Sequence, residues 1–451
     1  PVILTTRTTY AIPSSKYMIP TSWARYHLSQ LINKVLSSAQ PIPFDFLVNG
    51  ELLTGSLVEW CNEHNVGEVR IIPLILDHLA DTGQEETLEI EYIESVLPPE
   101  ALSSQETEDW MTSISCQHKS FFLTSSYDGC VRVHDSTQQP IATILSHNAP
   151  VTSACWVPEQ SDPSLDREKT IASSSLDHTL HLNRISSLGN PSWTTLASLH
   201  LHTAPVANVS ASADGKFLVS AGWDGLVGIW STTIPEQDEV PEVEEILGRK
   251  KRRKVHDQPS SAVRKGPAAV LKSHMARVSK AIFDILDENK RAYSCGWDNT
   301  VRSWDVESGV CVNTVTLPDR AHLDLAISRT GTVYVASADR SVSVIDFRLD
   351  GAHSTTTTLT HPSTPSCLVA HADSTHHLLT GAHDGSLRIW DIRSPRTALA
   401  KFEHVVKDRT GSSRRGKVLG VDWAHDLAVC AGEVGFGIWN IGVGGQERDR
   451  V

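Results

Sequence analysis

Ser220, Asp224 and Trp230 stand at fixed spacing in the stretch SAGWDGLVGIW (220–230), with His202 upstream. Ser, His and Asp together can build an acyl-transfer triad, in which the imidazole takes the hydroxyl proton and the carboxylate orients the ring. The chain then repeats the set. Ser294, Asp298 and Trp304 stand at the same offsets with His274 upstream, as do Thr380, Asp384 and Trp390 with His361 upstream. A catalytic site is needed once. A constellation that returns along the chain is a building part, so the triad reading is rejected.

The elements that carry these residues are short and regular. Seven stretches share small residues, a tight turn and an alternating strand: SSYDGCVRVHD (125–135), SSLDHTLHLNR (174–184), AGWDGLVGIWS (221–231), CGWDNTVRSWD (295–305), ASADRSVSVID (336–346), GAHDGSLRIWD (381–391) and AGEVGFGIWNI (431–441). Periods of about 40–45 residues with an Asp-Gly turn and a Trp-Asp ending are the signature of propeller blades. Over roughly 105–445 the chain resembles the WD-repeat family. That resemblance implies a hydrogen-bonded tetrad of His, Ser or Thr, Asp and Trp in each complete blade. The chemistry suits burial: Asp accepts from backbone amides and His, the hydroxyl bridges, and the indole N–H ends the network. Around Asp177 the blade keeps His147 and Ser173 but has Asn183 where Trp would stand, and the last blade has Val434 in the Asp position. Those two blades are expected to be the less rigid.

Composition bounds the rest. At 451 residues, 40% hydrophobic, the chain can hold a small domain and a large repeat array. Its 12 Trp outnumber its 7 Tyr and 9 Phe. A formal charge of −13 argues against wholesale wrapping of nucleic acid. The eight cysteines include no C-x-x-C pair and read as reduced thiols of an intracellular protein. No apolar run approaches the roughly 20 residues of a membrane span, and PVILTTRTTY has no secretory pattern.

Residues 1–97 do not fit the repeat. VILTTR (2–7) and KYMIP (16–20) read as strands, and TSWARYHLSQLINKVLSS (21–38) as an amphipathic helix with Thr21 or Ser22 as N-cap and Leu28, Leu31, Ile32 and Val35 on its apolar face. FDFLVNGELL (44–53) is a hairpin around Asn49-Gly50. A short helix SLVEWCNEH (56–64) and a last strand TLEIEYI (87–93) complete the order of a ubiquitin-like fold. With no Gly-Gly tail, it is expected to be a docking module. Residues 67–84 (GEVRIIPLILDHLADTGQ) are an atypical insertion with an apolar cluster around Pro73. The fold class expected is mostly β: a seven-bladed WD-repeat β-propeller over 108–445, preceded by a small α+β ubiquitin-like domain over 1–97. Residues 98–107 are expected to be a linker. Residues 232–270 run acidic, then basic, then Ser/Pro-rich, and read as a disordered charged loop. Within it Arg249, Lys250, Lys251, Arg252, Arg253 and Lys254 form a cationic run that importins read as a nuclear localisation signal.

The pairing of the two domains resembles one family: nucleolar WD-repeat ribosome-assembly factors with an N-terminal ubiquitin-like domain, the WD-repeat subunit of the PeBoW complex. The match is carried by PIPFDFLVNGELLTGSL (41–57), LEIEY (88–92), VLPP (96–99), EDWMTSI (108–114) and GRKKRRK (248–254). The sister factor notchless has eight blades; seven countable blades favour the former. The resemblance implies a non-enzymatic assembly factor for the large (60S) ribosomal subunit and its rRNA processing, in the nucleolus and nucleoplasm. Its propeller would hold the block-of-proliferation protein, with pescadillo reached indirectly, on a pre-60S particle. Its ubiquitin-like domain would be the handle for midasin, an AAA ATPase with a metal-ion-dependent adhesion site (MIDAS). There Mg²⁺ or another divalent cation, held by the partner, takes a carboxylate from this chain. Family position puts Glu85 in that role, with Glu86 as the neighbouring choice. No cofactor of its own, no membrane and a monomer alone are expected. The competing reading is a ubiquitin-pathway adaptor, which a hydrophobic patch on the N-terminal sheet would favour; direct RNA binding is disfavoured by the charge.

Overall fold

The structure is a computed structural model. It describes residues 1–8, 10–13, 15–37, 41–64, 87–118, 121–158, 169–186, 192–240, 262–286, 290–317, 320–349, 355–407 and 412–442. The chain divides into two compact units. One takes in Pro1–Pro99, Arg393–Ala400 and Ile441–Val451; the other takes in Glu100–Ile392 and Lys401–Asn440.

The first unit is built on a sheet of β1 (Val2–Thr5), β2 (Lys16–Tyr17), β3 (Phe44–Val48), β4 (Glu51–Leu52) and β5 (Leu88–Glu94). The strand order is β2-β1-β5-β3-β4, with β5 parallel to β1 and antiparallel to β3. This is the mixed sheet of a ubiquitin-like fold. Alternation explains the core: Val2 and Leu4, Phe44, Phe46 and Val48, and Ile90 and Tyr92 turn to one face. Against that face lies α1 (Arg25–Leu36), with Leu28 and Ile32 buried. Asn49 and Gly50 both have positive φ, 52° and 80°, as a two-residue hairpin requires.

Two sequence expectations shift here. The N-cap of α1 is Ala24, because Thr21 and Ser22 belong to a turn closed by Trp23 N–H to Pro20 O at 3.1 Å, and Ala24 itself bridges Ser56. Val35 is 38% exposed and lies outside the core. The second helix, α2 (Leu57–Glu63), starts on a reciprocal capping box. The Glu59 amide donates to Ser56 Oγ at 3.3 Å, and the Ser56 amide to Glu59 Oε2 at 3.1 Å.

The second unit contains seven sheets of four or more strands. Their innermost strands begin at Met111, Val151, Val206, Val278, His322, Pro365 and Val418, and each packs on the next, the last returning to the first. A ring of blades results. Blade cores are interleaved: Trp230 packs with Ala172 and Leu182 of the preceding blade, and Trp304 with Val219 and Ile229. After each turn Asp the chain goes left-handed, at Gly129, His178, Gly225, Asn299, Arg340 and Gly385 (φ 62° to 82°), which is why Gly and Asn recur there.

The segment 98–107 is a strand rather than a linker. β6 (Glu100–Glu106) pairs antiparallel with Gly435–Asn440 and supplies the outer strand of the seventh blade. The edge of that blade would otherwise stay unpaired. The expectation of disorder across 232–270 also needs correction at its end. Val263–Lys265 adds a parallel strand to the edge of the second blade, and Ala269–Lys272 is the outer strand of the third. Apolar Val263, Val270 and Leu271 carry the pairing that the polar flanks hide. The insertion 67–84 and most of the charged loop, 241–261, lie outside the described residues.

Candidate docking sites

The tetrad geometry decides what the Ser–His–Asp sets can do. In the third blade His202 Nδ1 lies 3.1 Å from Asp224 and its Nε2 2.8 Å from Ser220 Oγ, while Trp230 Nε1–H donates to Ser220 Oγ at 2.9 Å. In the fourth, His274 lies 2.9 Å from Asp298 and 2.7 Å from Ser294, and Trp304 Nε1–H donates to Ser294 at 2.7 Å. The connectivity matches a hydrolase triad. Access does not: Ser220 and Ser294 are fully buried, and each accepts an indole N–H at the oxygen that would attack. Burial works to raise the Asp298 carboxyl, but the His274 hydrogen bond and charge and the Thr300 hydroxyl overcome it and hold it below the ordinary carboxylate range. Asp224 is lowered by the same balance.

The other blades vary the theme. In the sixth, Trp390 Nε1–H donates to Thr380 Oγ1 at 3.0 Å and Thr380 lies 3.4 Å from His361. Asp384 instead accepts from the Ser386 amide and hydroxyl at 3.0 and 2.6 Å. That blade holds three of its four residues together. In the second, His147 spans Asp177 and Ser173, each at 2.9 Å, and Asn183 reaches Ser173 at 3.5 Å in place of the indole. Sequence reasoning missed His404. It lies buried against Trp439, ring centroids 6.0 Å apart, as His274 lies 6.1 Å from Trp304. Its partners are replaced by Cys430 and Val434, so burial alone pushes its imidazole down to about 4. The missing signal is the interval: His147–Val151, His202–Val206 and His274–Val278 match, whereas the hairpin Val405–Lys407/Ser413–Arg415 separates His404 from Val418.

A cavity of about 590 Å³ runs along the inner strands. Two of its carboxylates hold blades together, while Asp284 bonds within the fourth blade, accepting the Tyr293 hydroxyl at 3.1 Å. Asp324 Oδ1 pairs with Lys280 at 2.7 Å and its Oδ2 accepts the Leu368 amide at 2.7 Å, linking the fourth, fifth and sixth blades. Asp422 accepts the Cys116 amide at 2.8 Å and the Ser115 hydroxyl at 3.1 Å, locking the seventh blade to the first. Among the described residues no group of three His, Cys, Asp or Glu could hold a metal ion.

In the N-terminal unit, Glu85 and Glu86 lie outside the described residues. The strand they lead into is anchored: the Leu88 amide donates to Pro1 O at 3.1 Å, and β5 runs through the centre of the sheet. The Tyr92 hydroxyl donates to Tyr10 O at 2.7 Å and accepts the Ile12 amide at 3.0 Å, tying the β1–β2 connection to the same strand. On the face of β5 opposite the helices stand Glu89 and Glu91, the latter 3.5 Å from Arg7. Across the sheet Ile3 pairs with Glu89 and Leu47 with Glu91, so carboxylates and apolar side chains share that face. The cationic run Arg249–Lys254 is also outside the described residues, but its base is built. Lys265 Nζ donates to the carbonyls of Ser231, at 2.6 Å, and Thr233, and the Glu239 amide donates to Arg264 O at 2.8 Å.

Residues 1–61 match the NLE (NUC135) domain, and residues 193–231, 266–305 and 353–391 match the WD domain, G-beta repeat. The chain is 46% identical to the ribosome biogenesis protein YTM1 of Laccaria bicolor, over 98% of this chain and 94% of that one. It is 42% identical to the protein of the same name from Coprinopsis cinerea, over 98% and 95%. With that of Ajellomyces capsulatus the identity is 32%, over 86% and 79%.

Proposed function

The chain belongs to the YTM1 family of ribosome biogenesis proteins, and from that membership we propose a non-catalytic factor for assembly of the large (60S) subunit in the nucleolus and nucleoplasm. The observation that carries the reading is identity across nearly the whole chain, N-terminal unit and blades alike. The propeller is the platform for the block-of-proliferation protein, through which pescadillo and the pre-60S particle are reached. Buried tetrad hydroxyls and channel carboxylates engaged between blades support a scaffold rather than a catalyst. Importin reads Arg249–Lys254.

The N-terminal unit is the handle for removal by midasin. Glu85, or its neighbour Glu86, offers a carboxylate to a divalent cation held in that ATPase's adhesion site. Mg²⁺ takes oxygen ligands in tight octahedral geometry and is bound through few protein groups, so a partner's carboxylate can fill a remaining position. The anchored start of β5 supports this reading, because a ligand loop needs a fixed root. Pull-downs of the midasin adhesion domain by the full chain test it, with Mg²⁺ and with EDTA. Glu85→Ala is expected to abolish binding while leaving the block-of-proliferation partner bound. Glu85→Asp withdraws the oxygen by about 1.5 Å and should also weaken it strongly. Loss with Glu86→Ala instead moves the register by one. Binding that ignores EDTA and both substitutions sinks the handle mechanism.

A further inference from the structure

One hydrogen bond recurs in every blade and marks an equivalent pair of positions. The residue before the turn Asp donates its amide to the residue just ahead of the inner strand. Examples run from Tyr127 to Trp110 at 2.9 Å, through Trp297 to Arg277 at 2.8 Å, to Glu433 to Lys417 at 3.1 Å. All these pairs sit on one face of the ring, because each joins the second-to-third-strand turn to the connection from the preceding blade. The side chains placed there are not spread evenly. The first, third and fourth blades carry Trp110, Tyr127, Trp223 and Trp297, whereas the second carries Pro150 and Leu176 and the fifth to seventh carry Ala338, His383 and Glu433.

These aromatics are open to solvent. Trp297 is 49% exposed, Trp110 46%, Tyr127 43% and Trp223 38%, and Met275 beside them is almost wholly exposed. Trp230, Trp304, Trp390, Trp423 and Trp439 are core, whereas Trp193, on the outer strand of the second blade, is 36% exposed. The exposed ones are also organised. Arg277 stacks between two indoles, its guanidinium 4.4 Å from the Trp223 ring centre and 5.2 Å from that of Trp297. Trp110 and Tyr127 meet edge-on at 5.6 Å. Stacked Arg and rigid aromatics are the composition of binding hot spots, since they offer large contact area at small entropic cost. Arg277 is exposed and, among the described residues, has no ion-pair partner, so its donors face outward from a preset fork.

We propose that this aromatic arc, from Trp110 to Trp297, is the surface on which the propeller seats a protein partner presenting apolar side chains and a carboxylate opposite Arg277. The inference rests on the reading of the propeller as a platform and says which face and chemistry the platform uses. Charge chooses protein over RNA. Glu108 and Asp109 directly precede Trp110, the Asp128 carboxylate after Tyr127 is paired with Arg132, and Arg277 is left as the arc's cation without an ion-pair partner among the described residues. A phosphate backbone would meet carboxylates at one end and a single Arg at the other, whereas single-strand binding draws on several cations.

The test uses the full chain and purified block-of-proliferation protein as probe, by calorimetric titration. Trp297→Ala and Arg277→Glu are expected to weaken binding about 30-fold or more, as hot-spot truncations do, with unchanged thermal melts. Arg277→Lys keeps the charge but not the planar stack, so a loss between wild type and Arg277→Glu is expected. Leu286→Ala, on an exposed first-to-second-strand turn of the opposite face, should bind like wild type. If the arc variants bind normally, the arc is overturned while the platform reading stands. If Leu286→Ala alone weakens binding, the opposite face is the site. Failure of the wild type to bind overturns both. A parallel titration with fluorescent poly-uridine completes the test: binding lost with Trp297→Ala would make the arc an RNA platform and overturn the proposal.

Discussion

The imidazole of His274 lies between Asp298 and Ser294, and the Ser294 oxygen also accepts the Trp304 indole N–H. Removing the carboxylate in Asp298→Ala strands the His274 ring, the Met275 amide and the Thr300 hydroxyl around an apolar methyl. The expected cost is about 1–3 kcal/mol, read as a lower thermal midpoint; an unchanged melt contradicts the network. Spacing made these sets legible, since each copy repeats the others. Chemistry read from spacing could not foresee that Asp384, which meets Ser386 as Asp298 meets Thr300, makes no hydrogen bond to His361. Acid should expose a second kind of site. Burial first, with the Arg388 charge adding to it at His361, holds His322, His361 and His404 at about 4. A free His titrates near 6.5, so the unfolded chain takes up protons that the folded one refuses. Stability is therefore full above pH 6.5 and falls as pH drops toward 4, by up to about 3 kcal/mol per His. His404→Phe should flatten the midpoint-against-pH curve over that window. A slope equal to wild type would show that His404 already protonates when folded.

At the scale of elements, periodicity revealed the strands that alternate and hid those that do not. In β6 the run Glu100–Glu106 contains one large apolar residue, Leu102, itself 55% exposed, and its partner strand lies at the other end of the chain. No local pattern can announce such a pairing. Replacing Ser103 and Ser104 together by Pro places a missing amide toward Gly435–Asn440 whichever way the strand alternates. The double variant should lose about 1–3 kcal/mol and open the seventh blade to proteolysis; a wild-type digestion pattern would argue that β6 is dispensable. The strands of 263–272 were masked by the composition around them. Their clamp through Lys265 roots the cationic run without drawing on its charges. Charge reversal across Lys250–Lys254 should thus move the protein out of the nucleus at unchanged melting temperature. Continued nucleolar accumulation would mean that it travels in with a partner.

For the molecule as a whole, the class was legible and the closure was not. The Asp turns foretold the blades, and the Asn49-Gly50 hairpin the N-terminal sheet, whereas the carboxylate proposed for the metal follows from family position alone. The seventh blade takes its outer strand from Glu100–Glu106 and its other three from Val418–Asn440. On the ribosome that makes it, this chain therefore completes one sheet from segments between which all six other blades are synthesised. Long-separation pairings of this kind are formed late and slowly, and sequential synthesis keeps the ring unfinished until its final strands emerge. A message cut short before Val418 would leave the inner-strand edges of the first and sixth blades without their neighbour. Such a product should be captured by chaperones rather than incorporated into particles, so the ring's seam also serves as a check that translation passed the seventh blade.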